Sequence, residues 1–237
     1  RCPYGPRSFE VVYEFTLQAV SKLFELGCPL VILACNTASA KALRTIQQIN
    51  LPVIDATRRV LGVIRPTAEC IGEITRSRHV GILATAGTIK SESYLLEIHK
   101  LSPDIVVTGE ACPMWVSLVE NNEYQSEGAD YFVKQHINRL LDKDPMIDTI
   151  ILGCTHYPLL LDKIRQFTPG HIRIIAQGEY VARSLQDYLN RHPEMDARCE
   201  KGGKCRFLTT ESENKFEESA SIFLGRQDIK VESIALE

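Results

Sequence analysis

The chain has 237 residues, 44% hydrophobic and 24% charged, enough to bury a full core in one large or two small domains. A formal net charge of -3 provides no basic footprint for nucleic acid and no polybasic patch for a membrane surface. No apolar run reaches the length of a membrane-spanning helix and no charged-then-apolar start resembles a signal peptide, which predicts a cytoplasmic protein.

Cys2-Pro3-Tyr4-Gly5-Pro6 is loop chemistry, whereas a doubly wound domain normally opens with a strand, so a strand, a turn and a helix are expected upstream of Arg1. Ser8 can cap a helix from Phe9 to Leu26, with Gly27 as its left-handed stop. A buried strand Leu30–Ala34 runs into Cys35, and Ala38–Ile49 reads as a helix with Ala42, Leu43 and Ile46 on its apolar face. Val53-Ile54 reads as a short strand, Arg58–Ile64 as helical up to Pro66, and Ala68–Ile74 as a further helix. The strand Val80–Ala84 is followed by the turn Thr85-Ala86-Gly87-Thr88 and a helix Ile89–Lys100. Then come a strand Ile105–Thr108, a short helix Pro113–Glu120 and a longer one Gly128–Leu141. The strand Thr149–Leu152 leads to Cys154, a helix over Leu159–Phe167, a strand Ile172–Ala176 and a helix Tyr180–Asn190. Arg191–Lys204 is expected as an exposed loop, before a strand Arg206–Thr209, a helix Glu213–Leu224 and a last strand Val231–Leu236.

Strands and helices alternate throughout, which makes the class α/β with parallel sheets. Cys2-Pro3-Tyr4 precedes the first cysteine strand by about the distance that Cys112-Pro113-Met114 precedes the second, a hint of duplication. Two related lobes follow, one made of residues 1–57 plus 174–237 and the other of residues 58–173.

Eight cysteines (2, 28, 35, 70, 112, 154, 199 and 205) in a chain of this length do not form the dense framework of a small secreted domain. There is no CxxC, and Cys199 and Cys205 flank Glu-Lys-Gly-Gly-Lys with no histidine close behind, which favours loop thiols over a zinc site. Cys28, Cys70 and Cys112 read by default as small buried apolar residues.

Cys35 and Cys154, 119 positions apart, read differently. Val31-Ile32-Leu33-Ala34-Cys35-Asn36-Thr37-Ala38-Ser39 and Ile150-Ile151-Leu152-Gly153-Cys154-Thr155-His156-Tyr157-Pro158 each deliver a thiol to the carboxyl end of a buried strand, where α/β sheets place their ligands. A helix mouth favours the thiolate through its dipole and unpaired N–H groups. Asn36, Thr37, Thr155 and His156 are poor core residues and good donors to a carboxylate. His156, two residues from Cys154, can assist thiol ionisation or take up a proton, while His99, His136 and His171 read as surface or packing histidines. Thr85 through Thr88 is either an anion-binding turn or plain N-capping. No GxGxxG or Walker sequence occurs, so no nucleotide site is expected. Arg58-Arg59 reads as a solvated helix face and Tyr4-Gly5 as a turn.

Together, Pro3-Tyr4-Gly5, Cys35-Asn36-Thr37-Ala38-Ser39, Thr85 through Thr88, Cys112-Pro113, Glu120, Gly153 through Leu159 and Thr209-Thr210 resemble the aspartate/glutamate racemase superfamily, and within it the glutamate racemases. The resemblance implies two α/β lobes with the active site in the cleft between them, and a homodimer. It implies cofactor-independent interconversion of L- and D-glutamate, supplying D-glutamate for bacterial peptidoglycan. Carried over to this chain, Cys35 and Cys154 are the acid/base pair with His156 beside them, no metal is involved, and Tyr4, Gly5, Asn36, Thr37, Thr85, Thr88, Thr155 and His156 contact substrate. The family's amino-terminal Asp-Ser turn would lie upstream of Arg1, and Gln177-Gly178 stands where the family more often carries a small acidic or hydroxyl pair. Rival readings are an aspartate racemase, against which His156 argues, an inactive dicarboxylate-binding fragment, and a cysteine hydrolase built on a Cys–His pair without a nucleophile elbow.

Overall fold

The computed structural model describes residues 3–236. Helix α1 (Phe9–Glu25) starts at Ser8, whose side chain accepts from the Val11 N–H, and the chain turns away at Gly27 with φ 91°. Val12, Thr16, Val20 and Phe24, one per turn, are its buried residues. Strand β1 (Leu30–Leu33) follows and pairs in parallel with β2 (Arg59–Gly62), Leu30 opposite Arg59.

Between these strands run α2 (Asn36–Lys41), α3 (Leu43–Thr45), a π-helical turn Ile46–Asn50 and α4 (Leu51–Ile54). Two expectations are corrected here. Val53-Ile54 is the end of a helix, and the span Arg58–Ile64, expected as a helix, contains β2. Pro52 fits the first turn of α4, where a missing N–H costs nothing, and the β-branched side chain of Val53 is 86% exposed rather than held in a sheet. Residues 59–62 are extended because β1 offers their backbone groups a ladder, a tertiary fact that local pattern does not carry.

The larger sheet holds β3 (His79–Ala84), β4 (Val106–Ala111), β5 (Thr149–Gly153) and β6 (Arg173–Ala176) in the order β4-β3-β5-β6, all parallel. Helix α5 (Ile64–Ile74) leads from β2 into β3, and the crossovers within the sheet use α6 (Ala86–Lys90) and α7 (Ser93–Leu101), α8 (Pro113–Glu120) and α9 (Glu127–Lys143), and α10 (Leu161–Phe167) after a 3₁₀ turn Tyr157–Leu160. The expected single helix Ile89–Lys100 is two, broken where Glu92 takes a left-handed φ of 54°. Every residue of β5 is buried, as its unbroken apolar run requires. Alternate side chains face two cores: Ile150 and Leu152 pack with Leu83, Trp115, Val133 and Leu140, while Ile151 packs with Val80, Ile82, Ile98 and Ile175.

After β6, α11 (Gly178–Arg191) leads to α12 (Pro193–Asp196), a helical turn inside the segment expected as loop, anchored by Met195 at 3% exposure. Strands β7 (Phe207–Thr209) and β8 (Val231–Ser233) flank α13 (Glu213–Leu224) and pair in parallel with each other. β8 stops at Ser233, short of the expected Leu236. Among the described residues no helix is long and apolar enough to cross a membrane.

Candidate active site

Five strand ends of the β1-β2 sheet and the four-stranded sheet supply the site: Cys35 follows β1, Thr85 follows β3, Cys112 follows β4, Cys154 follows β5 and Gln177 follows β6. Cys35 is half-buried at the N-cap of α2. Burial pushes its thiol up, against the N–H groups of Ala38 and Thr37 and the Thr37 hydroxyl, which favour the thiolate. Cys154 is 7% exposed, and burial pushes its thiol up to about 12 despite the N–H groups of His156 and Tyr157. Negative charge on Cys35 raises it further. Burial thus favours the protonated form of both thiols, and ionising one opposes ionising the other.

Beside Cys154 lies a histidine–carboxylate pair. His156 is hydrogen-bonded through Nε2 to the Glu120 carboxylate, and its Nδ1 sits 3.7 Å from the Cys154 sulfur. A carboxylate accepts from Nε2–H, which leaves Nδ1 of the neutral ring as the acceptor facing the thiol. Tyr157 supports this turn from below, stacking edge-on against Trp115 at 4.8 Å and donating to the Cys112 carbonyl at 3.1 Å. Cys112 itself is fully buried, in keeping with its apolar reading.

On the Cys35 side, three threonine hydroxyls form a triangle. Thr37 Oγ1 lies 2.9 Å from that of Thr85 and 3.3 Å from that of Thr88, and Thr85 and Thr88 are 3.1 Å apart. Thr85 also caps α6 by accepting from the Thr88 N–H, the capping role expected of that turn. Gly5 packs on this turn. The Gly87 N–H donates to the Gly5 carbonyl at 3.2 Å, and a Cβ at Gly87 would lie 2.7 Å from that oxygen. Thr155 is exposed and Tyr4 half-buried, whereas Asn36, Thr37, Thr85 and Thr88 are buried.

The sequence-based candidates are therefore gathered at one end of the two sheets, while His136 pairs elsewhere with buried Glu110 at 2.7 Å and His99 faces the Ile105 carbonyl at 2.9 Å. Among the described residues no group of three or more His, Cys, Asp or Glu is arranged to hold a metal ion. Two residues were not singled out as site residues. Tyr94 donates to Asn36 Oδ1 at 2.7 Å, and Gln177 accepts from Asn36 Nδ2 at 2.8 Å. The signal for Gln177 lay in Ile174-Ile175-Ala176-Gln177-Gly178, the same strand-then-polar design as the cysteine motifs. Tyr94, inside a helix, carried none.

The family profile described as Asp/Glu/Hydantoin racemase matches residues 11–185. The glutamate racemase of Listeria monocytogenes serotype 4b (strain CLIP80459) is 38% identical over 237 residues, spanning 100% of this chain and 85% of that protein. The crystal structure of a glutamate racemase isoform from Bacillus anthracis superposes with a TM-score of 0.89 at 36% identity, covering 100% of this chain and 85% of that one. The glutamate racemase of Francisella tularensis in complex with D-glutamate gives a TM-score of 0.86 at 27% identity, with the same coverage of 100% and 85%. By sequence and by fold, then, this chain belongs to the Asp/Glu/Hydantoin racemase family.

Proposed function

We propose that this chain is a glutamate racemase that interconverts L- and D-glutamate with Cys35 and Cys154 as its acid/base pair and no cofactor. The observation that carries this reading is the pair of strand-end thiols, each held by N–H donors of the turn that follows and coupled to the other through charge.

Cα–H of an amino acid is a very weak acid, so the base that removes it must be strong and the carbanion must be held by fixed dipoles in a dry site. A buried thiol with a raised pKa gives a scarce but strongly basic thiolate. One thiolate takes the Cα proton from one face while the opposite thiol gives its proton to the other face, and configuration inverts. The sulfur charges exchange, so the return reaction starts from the opposite state. Thr37, Thr85 and Thr88 hydroxyls, the Asn36 amide and the helix-mouth N–H groups offer donors for the substrate carboxylates, with Tyr4, Gly5, Thr155 and His156 as further contacts. His156 takes up the Cys154 proton when that sulfur must become a thiolate, and Glu120 steadies the imidazolium.

The same reading carries the two lobes, residues 1–57 with 174–237 and residues 58–173, closing on the substrate, a homodimer, and a cytoplasmic role supplying D-glutamate for bacterial peptidoglycan. The test is deuterium incorporation at Cα of L-glutamate and of L-aspartate in heavy water. Exchange with glutamate, accompanied by D-glutamate, is expected; exchange with aspartate alone would reassign the substrate, and exchange with neither would refute the activity.

A further inference from the structure

We infer that Gln177 is a positioning residue that fixes which way the Asn36 carboxamide faces beside Cys35. The inference rests on the racemase reading for its functional meaning but on geometry for its existence. Gln177, Tyr94 and Asn36 are 8%, 3% and 2% exposed and close a hydrogen-bonded ring across three segments of the chain.

The orientation of every group in the ring follows from one carbonyl. Gln177 Nε2 lies 3.1 Å from the Val63 carbonyl oxygen, 2.9 Å from Thr67 Oγ1 and 2.6 Å from the Tyr94 hydroxyl. A carbonyl oxygen only accepts, so the amide nitrogen of Gln177 must face Val63 and its Oε1 must face Asn36. Asn36 then has to present Nδ2 to Gln177, at 2.8 Å, and its Oδ1 is left facing Tyr94, whose O–H donates at 2.7 Å. Burial keeps that phenol protonated and able to donate. With one N–H of Nδ2 spent on Gln177, the other is the donor available to a carboxylate. In the flipped amide an oxygen would stand there and repel the same anion. Tyr94 also reaches the other cysteine turn, since a Cβ at Gly153 would lie 3.1 Å from its ring. The ring thus ties the residue after Cys35 to the residue before Cys154.

The test combines kinetics on glutamate with the side-chain amide protons of Asn36, followed by nuclear magnetic resonance in the full chain. Gln177→Leu removes the acceptor for Asn36 and is expected to raise KM about tenfold, the loss of roughly one hydrogen bond to a charged group, with kcat changed less. Gln177→Glu, whose buried carboxyl still offers Asn36 an oxygen, is expected to restore most of that loss. Thr67→Val removes only an acceptor on the far side of the same amide and lowers melting temperature without moving KM. Tyr94→Phe, which keeps the packing, is expected to raise KM even where Gln177→Leu folds poorly. The Asn36 amide protons lose their protection from exchange in Gln177→Leu and keep it in Thr67→Val. Equal KM changes in Gln177→Leu and Thr67→Val, or Asn36 protons indifferent to Gln177, would overturn the assignment. Absence of any turnover of glutamate by the parent chain would refute the racemase reading instead, and the amide protons would still decide the ring.

Discussion

Replacing Glu120 by Gln isolates the charge behind His156. Glutamine keeps the shape and still offers an oxygen to Nε2–H, so the ring stays oriented and only the electrostatic support for the imidazolium is lost. In a dry interior that support would be several kcal/mol, but the Glu120 side chain is 41% exposed and that of His156 28%, so solvent screening leaves about 1 kcal/mol. The expected loss is roughly fivefold in kcat/KM. L- and D-glutamate are mirror images of equal free energy, so kcat/KM must fall by the same factor in both directions. kcat alone is free to differ, and is expected to fall more in the direction that begins with the Cys154 thiolate. Initial rates in both directions, followed by circular dichroism with protonated and Cα-deuterated glutamate, read all of this. The deuterium isotope effect should grow in the slower direction. A loss below about twofold, with kcat unchanged in both directions, would refute a proton relay through His156 and Glu120.

Three further outcomes are expected. Gly87→Ala forces a Cβ to within 2.7 Å of the Gly5 carbonyl and 3.0 Å of the Lys41 side chain, so the Tyr4-Gly5 segment must lift from the threonine turn; KM for glutamate should rise with little loss of melting temperature. Asp148 accepts from Thr75 Oγ1, the N–H groups of Arg76 and Ser77, and Thr149 Oγ1, all at 2.6–2.8 Å. Burial opposes its ionisation, but the four donors outweigh it and hold the carboxyl well below its usual range. Asp148→Ala should therefore cost about 3 kcal/mol and lower the melting temperature by roughly 5–10 °C near neutral pH, a difference that shrinks as acid protonates the parent. Cys154 gives the opposite limb. The folded chain keeps a proton that the unfolded chain releases near 9, so this part of the stability is intact below that value and is lost as pH climbs toward about 12. Cys154→Ala should flatten the alkaline limb of a melting-temperature profile.

The sequence carried the fold wherever an element's own pattern decided its structure. The apolar runs at 80–84 and 149–152 could only be buried strands, and Ser8, Gly27 and Pro113 mark real helix ends. It failed where a partner decides: β2 is a strand because β1 lies beside it, and Val53, bare to solvent, imitates a strand residue. The break at Glu92 is a backbone turn that no residue type announces. The two thiols and the threonine turn were legible because polar residues follow apolar strands there. The Glu120–His156 contact and the Gln177–Tyr94–Asn36 ring join residues 36 to 141 positions apart, and only the folded chain reveals them.

In the proposed reaction Cys35 and Cys154 act on opposite faces of one carbon atom. The most direct measurement is Cα deuterium exchange into each separate enantiomer of glutamate by Cys35→Ala and by Cys154→Ala in heavy water. Each variant keeps one base on one face, so it can remove a proton from a single enantiomer and return a solvent deuteron without inversion. Complementary behaviour is expected, one variant exchanging only L-glutamate and the other only D-glutamate, with neither racemising. Exchange of both enantiomers by either variant, or of the same enantiomer by both, would contradict it.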